Sequence, residues 1–265
     1  MRVWTLANQK GGVGKTTSSV ALGGLLNQSG LRTLLVDIDP HGSLTSYFRY
    51  DPDALEEGVY SLFKGVVDGR EVDPADLIHP TGIEGLDLLP AAMALATLDR
   101  QAGRREGMGL VIKGALARLR DRYDYAIIDC PPILGVLMIN ALAACQQLIV
   151  PVQTEFLALK GLERMLHTLR MVLRSRQVAL PYLIVPTMYD MRTRASLDSL
   201  RVLRETHGER LWSGLIPVDT RLREASRVGI PPAQFDSHSR GVAAYRDLLN
   251  ELLQGETALT PGIAV

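Results

Sequence analysis

An α/β fold, a mostly parallel twisted sheet with helices on both faces, is what this 265-residue sequence predicts. Short, continuously apolar runs of strand length alternate with longer segments of helical periodicity, the pattern of βαβ units. Two of these runs end in carboxylates, at Asp37 to Asp39 and at Asp129, as parallel strands do where their C-terminal ends meet a ligand. A third, Val3 to Ala7, feeds a glycine-rich turn and then a helix.

That turn is Gln9-Lys10-Gly11-Gly12-Val13-Gly14-Lys15-Thr16-Thr17. Gly11, Gly12 and Gly14 permit backbone turns that side chains forbid. Successive N–H groups can then converge on phosphate oxygens at the positive end of the following helix. Lys15 adds a point charge and Thr16 offers a hydroxyl to a phosphate-bound Mg²⁺. ATP or ADP with Mg²⁺ is the ligand this pattern implies. The loop is a variant, because Gln9 stands where the usual pattern has its first glycine and a second lysine, Lys10, follows at once.

Taken in order, Thr16 to Gln28 has helical periodicity, with Val20, Ala21, Leu25 and Leu26 turned inward and Gly30 stopping the helix. Arg32 to Ile38 is a buried strand, and Asp39-Pro40-His41-Gly42-Ser43 is the loop after it. Residues 51–106 are the least regular part, broken by Pro52, Pro74, Pro80 and Pro90. Short helical pieces and one strand, Leu86 to Leu89, are expected there, as an elaboration on the surface. Met108 to Arg120 is a helix. Tyr125 to Asp129 is an apolar strand, followed by Cys130-Pro131-Pro132. Gly135 to Cys145 is a helix and Leu148 to Val152 a buried strand.

The helix from Ala158 to about Arg176 separates its faces: Leu162, Met165, Leu166, Leu169 and Leu173 point one way, while Arg164, His167, Arg170 and Arg174 lie on the other. Only Glu163 dilutes that basic stripe, which makes it the candidate surface for an anionic partner. Thr193 to Thr206 also carries arginines, but Arg194, Asp198, Arg201 and Glu205 alternate in sign at spacings of three and four, as in a salt-bridge ladder. Strands at Tyr182 to Met188 and at Leu215-Ile216-Pro217 and a helix from Ser239 to Leu253 complete the domain. Residues 254–265 are expected to be a flexible tail.

Hydrophobic residues make up 46% of the chain and charged residues 22%, enough for one large domain with a sizeable core, and no second domain is expected. The two cysteines, Cys130 and Cys145, form no Cys-x-x-Cys pair and have no flanking histidines, so neither a disulfide framework nor a zinc site is indicated. A reduced, cytoplasmic setting is the expectation, with no signal sequence and no apolar run long enough to span a membrane. Formal net charge is zero, yet residues 164–227 carry 12 basic side chains against 6 acidic ones. All 12 are arginine, which favours bidentate contacts to phosphate or carboxylate.

The segment Lys10-Gly11-Gly12-Val13-Gly14-Lys15-Thr16 resembles the deviant Walker A loop of the ParA/MinD superfamily of P-loop ATPases. Asp39-Pro40-His41-Gly42-Ser43 is similar to that superfamily's Asp-Pro-Gln-Gly-Asn, with His41 and Ser43 as departures. Tyr125 to Asp129 looks like a Walker B segment, and Ser239-Arg240-Gly241 like the start of the closing helix. The resemblance runs from about residue 1 to 253 and implies a single ParA-type ATPase domain. Lys10 would reach phosphate bound to the partner of an ATP-bound homodimer. Asp39 would orient the attacking water and lie in the outer shell of the metal that Thr16 and, through water, Asp129 hold. The segments Thr187 to Arg192 and Ile216 to Ala225 resemble stretches that border the adenine base, which nominates Asp190, Pro217, Val218 and Asp219. Val218 and Asp219 replace the more usual Arg-Asn.

The implied function is a slow, partner-stimulated ATPase (Lys10, Lys15 and Asp39 its catalytic residues) that positions cargo. The cargo is a plasmid or chromosome partition complex, with a ParB-like stimulator, or a chemoreceptor array, with a chemotaxis adaptor. The opening residues and Asp-Pro-His-Gly-Ser look like the chemotaxis-positioning ParC branch. Non-specific DNA binding, through Arg164, Arg170 and Arg174, is the further partner. Three other branches fit less well. A MinD-like membrane switch needs a basic amphipathic C-terminal helix, and Gly255 to Val265 contains no Lys or Arg. A nitrogenase-reductase-like enzyme needs cluster-ligating cysteines, and neither Cys130 nor Cys145 sits where that branch carries them. An amidase or synthetase such as a cobyrinate amidase needs substrate groups beside the γ-phosphate, and none is identifiable.

Overall fold

A computed structural model describes residues 1–101, 107–173 and 180–259. β1 (Arg2–Leu6) leads into α1 (Lys15–Gln28), followed by β2 (Thr33–Asp37), the short α2 (Ser43–Tyr47) and α3 (Val59–Asp68). Next come β3 (His79–Ile83), β4 (Leu86–Leu89), α4 (Leu95–Gln101), α5 (Val111–Arg118), β5 (Tyr125–Asp129), α6 (Val136–Ala144) and β6 (Gln147–Gln153). Then α7 (Phe156–Leu173), β7 (Tyr182–Thr187), α8 (Arg194–His207), α9 (Thr220–Val228), α10 (Pro232–Phe235) and α11 (Arg240–Leu259) complete the chain.

The strands form one seven-stranded sheet in the order β3-β4-β2-β5-β1-β6-β7. All neighbours are parallel except β3, which runs antiparallel to β4. Alternate side chains of each strand serve opposite faces. Leu34, Val36, Ala126 and Ile128 pack with α3, α5, α6 and α7, whereas Leu35, Tyr125 and Ile127 pack with α1, α9 and α11. Both faces are covered, which is why the strands read as unbroken apolar runs.

Three sequence expectations need correction. Residues 51–106 supply two strands rather than one. β3 contains Pro80, which reads as a strand breaker but is tolerated at the sheet edge, where half of the backbone groups need no partner. The region is also more than a surface elaboration, because Val59, Phe63, Leu89 and Leu95 are fully buried in the core. Leu215 to Pro217 is not a strand: Ile216 N–H donates to Pro186 O at 2.8 Å, and only Pro217 forms a bridge, to Tyr189.

The third correction concerns the expected boundary at residue 253, which falls inside a helix. α11 continues to Leu259, and Glu256 receives Trp4 Nε1 and the Tyr125 hydroxyl, each at 2.8 Å, with Arg2 3.9 Å away. Among the described residues no helix is long and apolar enough to cross a membrane.

Candidate functional site: a phosphate-binding cleft

In the sheet β5 lies between β1 and β2, with Asp129 in register with both Leu6 and Asp37. The glycine-rich loop after β1, the acidic loop after β2 and Asp129 at the end of β5 therefore converge at one edge. This is the carboxyl end of a parallel sheet, where the crevice between diverging connections forms a site.

The glycine-rich loop turns through Gly12 at φ 74° and Gly14 at φ 90°, both in the left-handed region that only glycine enters without strain. Gly11 does not share this need: its φ is not positive, and no atom lies within 4 Å of where its side chain would start. α1 begins at once, Ser18 N–H donating to Gly14 O at 2.9 Å, which aims the free N–H groups of its first turn at the cleft. Val13 is buried and its carbonyl accepts from Thr187 Oγ1 at 2.8 Å, tying the loop to β7. Lys15 is buried, and its Nζ lies 3.4 Å from Lys10 O.

On the cleft floor, Thr16 Oγ1 donates to Asp129 Oδ2 at 2.6 Å and Ser19 Oγ to Asp129 Oδ1 at 3.2 Å. Burial pushes the Asp129 carboxyl up from its ordinary value, against the pull of the Thr16 hydrogen bond and the Lys15 charge. Asp37 is also fully buried and raised, first by burial and then by Asp129. It accepts from Asp39 N–H at 3.1 Å and from the N–H and hydroxyl of Thr45, each at 2.8 Å. Asp39 is nearly buried, and its Oδ1 faces both the N–H of His41, at 3.0 Å, and that residue's ring Nδ1, at 2.8 Å.

A cleft of about 460 Å³ is lined by Gly11, Gly12, Gly14 to Thr17, Asp39, His41, Ser43, Pro132 and Met188. A second cavity of about 250 Å³ shares Gly14, Thr17 and Met188 with it and is walled by Thr187, Pro217, Val218, Asp219 and Tyr245. Such paired volumes suit a small ligand with one charged and one flat apolar end. Magnesium prefers hard oxygen donors. The hydroxyl of Thr16 and the carboxylates of Asp129 and Asp39 supply that set, and two buried carboxyls raised by burial are what a nearby cation would relieve.

The structure brings most of the nominated residues together and separates two. Asp190 is absent from both cavities; its carboxylate is held by Arg192, through Nε at 2.9 Å and Nη2 at 2.8 Å. Asp219 is at the wall, but its carboxylate caps α9 through Arg221 N–H at 2.9 Å and takes Gly241 N–H at 2.8 Å, so it is a structural cap there. Lys10 lies beside the cleft with its ammonium paired to Glu155. Arg164, His167 and Arg170 are exposed on α7, opposite the buried Leu162, Met165, Leu166 and Leu169. Arg174 lies outside the described residues.

Sequence reasoning missed Ser19 and, within the segment Thr187 to Arg192, did not single out Met188. Ser19 sits one turn after Lys15, so helical periodicity could have placed it beside Thr16. Met188 adopts φ 51°, a left-handed conformation unusual for a non-glycine residue, and nothing in its sequence context marks that.

A family model described as an AAA domain matches residues 1–181. The sporulation initiation inhibitor protein Soj of Bacillus subtilis is 38% identical over 252 residues, 95% of this chain and 98% of that protein. The chromosome-partitioning ATPase Soj of Thermus thermophilus is 39% identical over 255 residues, 94% of each chain. The crystal structure of cobyrinic acid a,c-diamide synthase from Mycobacterium smegmatis, with bound ATP analog and magnesium, superposes with a TM-score of 0.83. It is 36% identical, over 98% of this chain and 97% of that one. With the deviant loop, the two acidic strand ends and these relatives in agreement, the chain belongs to the ParA/Soj type of the ParA/MinD superfamily of P-loop ATPases.

Proposed function

We propose that this protein is a Mg²⁺-dependent ATPase that works as a dimerisation switch, positioning or segregating intracellular cargo and reset by hydrolysis. The observation that carries this reading is the cleft lined by Gly11, Gly12, Gly14 to Thr17 and Asp39, in which Thr16 also holds the buried Asp129 carboxylate. Backbone N–H groups of the loop and the Lys15 ammonium hold the β- and γ-phosphates. Mg²⁺ would be held by Thr16 together with the carboxylates of Asp129 and Asp39, and would neutralise charge on those phosphate oxygens. Asp39 orients the attacking water. Pro217 and Val218 border the adenine, with the Asp219 backbone completing that wall. The protein's own contribution is positioning and electrostatic stabilisation, as in phosphoryl transfer generally.

The dimer is face to face, with Lys10 of one protomer at phosphate held by the other. Support comes from the surface around Glu155, where Phe156 is 68% exposed and Leu157 66%, large apolar side chains beside the cleft that a partner would cover. The exposed Arg164, His167 and Arg170 are the surface for non-specific DNA. Turnover is slow until a protein partner stimulates it. Relatives named for chromosome partitioning favour a ParB-like stimulator and a partition complex as cargo. The opening residues favour a chemotaxis adaptor and a polar array as the second cargo. The setting is the cytoplasm, at the nucleoid or a cell pole.

A second reading is ATP-dependent amide synthesis, because a structure of similar fold and 36% identity carries that name. Light scattering with and without ATP and Mg²⁺, with phosphate release followed in parallel, tests both. An ATP-dependent doubling of mass with release of phosphate from ATP alone supports the switch. A monomer that releases phosphate only with a carboxylic acid and an amide donor supports the synthetase.

A further inference from the structure

Asp39 Oδ1 receives two hydrogen bonds from one residue, His41: from its backbone N–H at 3.0 Å and from its ring Nδ1 at 2.8 Å. The first is a turn contact that any residue at 41 except proline makes; the second belongs to histidine. A carboxylate oxygen only accepts, so Nδ1 carries the hydrogen in this contact. Among the described residues Asp39 Oδ2 has no protein donor. We propose that His41 is a positioning residue for ATP hydrolysis, locking the rotation of the Asp39 carboxylate so that Oδ2 stays presented to the cleft. This rests on the reading of Asp39 as the residue that orients the attacking water.

The terminal torsion of an aspartate is soft, with broad wells, so a carboxylate held through one oxygen by a backbone contact alone can still turn. Two donors on the same oxygen fix both its position and its plane. The loop that carries the ring cannot easily drift. Gly42 follows at φ 61°, and a side chain there would meet Pro52 at 2.4 Å, so residues 39–42 are packed against the chain at Pro52. Asp39 itself is anchored from the other side by its N–H on the buried Asp37.

Stability does not account for the ring contact. The His41 side chain is 74% exposed, so it fills no core space, and an exposed pair of this kind contributes little to folding. It nonetheless lines the phosphate cleft together with Gly12, Lys15 and Thr16, where a contact one bond away from the water-orienting group acts on geometry. Small misplacements of a positioned group cost rate far more than they cost binding.

The test is single-turnover phosphate release from Mg²⁺-ATP by the full chain and by His41→Ala, His41→Asn and Asp39→Ala, with KM for ATP and melting temperature measured alongside. His41→Ala is expected to lower kcat about tenfold, the scale of one charge-assisted hydrogen bond, with KM and melting temperature unchanged. His41→Asn is expected to recover most of the rate, because its amide Nδ2 reaches close to where the imidazole Nδ1 stands. Parental kcat in His41→Ala, an asparagine variant as slow as alanine, or a loss confined to KM would each overturn the assignment. Parental hydrolysis by Asp39→Ala would instead overturn the reading of Asp39 on which it rests.

Discussion

The ammonium of Lys10 is paired with the carboxylate of Glu155, the residue immediately before α7. A lysine that is to reach another protomer must leave this partner, so the pair competes with the dimer. Both side chains are partly exposed, which limits the pair to about 1 kcal/mol at most. Lys10→Ala should therefore bind nucleotide and fail to form the ATP dimer. Glu155→Gln should dimerise at an ATP concentration lower by no more than about fivefold. Size exclusion with a non-hydrolysable analogue reads both, and an unchanged dimer in Lys10→Ala would show that the lysine serves only its own chain.

Lys15 lines the cleft with its Nζ toward the Lys10 carbonyl, its only hydrogen-bond acceptor among the described residues. That is a weak contact at 3.4 Å, so the ammonium is free to turn to phosphate without giving up a strong bond. Lys15→Ala and Lys15→Gln should abolish stable ATP binding with little change in melting temperature. Equilibrium dialysis decides it: parental affinity would remove the phosphate-loop assignment.

Much of this site is legible in the sequence because it is built from local signals. Gly12 and Gly14 had to be glycine for a backbone reason, and β2 and β5 betray themselves by apolar runs that end in acids. What is not legible depends on which partner each side chain takes in the folded chain. Asp190 is taken by Arg192, two residues along, and Asp219 by the N–H of Gly241, 22 residues away, so the residue type alone cannot say whether a carboxylate faces a ligand or a cap. Met188, Pro80 in β3 and the Glu256 anchor are likewise decided by what the completed fold places beside them.

Asp37 is fully buried and pushed up to about 8 from an ordinary 3.8, chiefly by burial and next by Asp129. Between those values the folded protein binds more protons than the unfolded chain, so stability without nucleotide should fall as pH rises from about 5 toward 8. Mg²⁺-ATP should flatten the slope, since a cation beside Asp129 favours the ionised forms. Melting curves across that range test it. A nucleotide-free protein that gains stability over the same interval would contradict the sign.

Glu256 ties the C-terminal helix to the N-terminal side of the sheet through Trp4 and Tyr125, a span of 252 residues for the first contact. The Glu256 side chain is 17% exposed, so removing it leaves two partly buried donors, the indole N–H and the phenol, without their acceptor. Each such orphan costs about 1–3 kcal/mol. Glu256→Ala should lower the denaturation midpoint without altering nucleotide affinity. A stop after residue 253 should do at least as much. An unchanged midpoint in both would make residues 254–259 dispensable.

Arg164, His167 and Arg170 face away from a buried apolar stripe, and Lys160 rather than any of them pairs with Glu163, at 3.1 Å. The stripe is therefore less neutralised than α8, where Asp198 lies 3.8 Å from Arg194 and 3.6 Å from Arg201. If the α7 stripe binds duplex DNA, the log–log dependence of affinity on salt should have a slope of roughly −0.9 per phosphate contacted, because each contact releases counterions. An ATP dimer doubles the contacts, so binding should appear only in that state. Asp39→Ala, expected to trap the dimer by blocking hydrolysis, is the protein to use in a gel shift at low and moderate salt. A shift that Arg164→Glu with Arg170→Glu removes, while the dimer persists, assigns the DNA surface to α7. No shift at any salt would leave DNA out and direct the search for a track to a protein landmark.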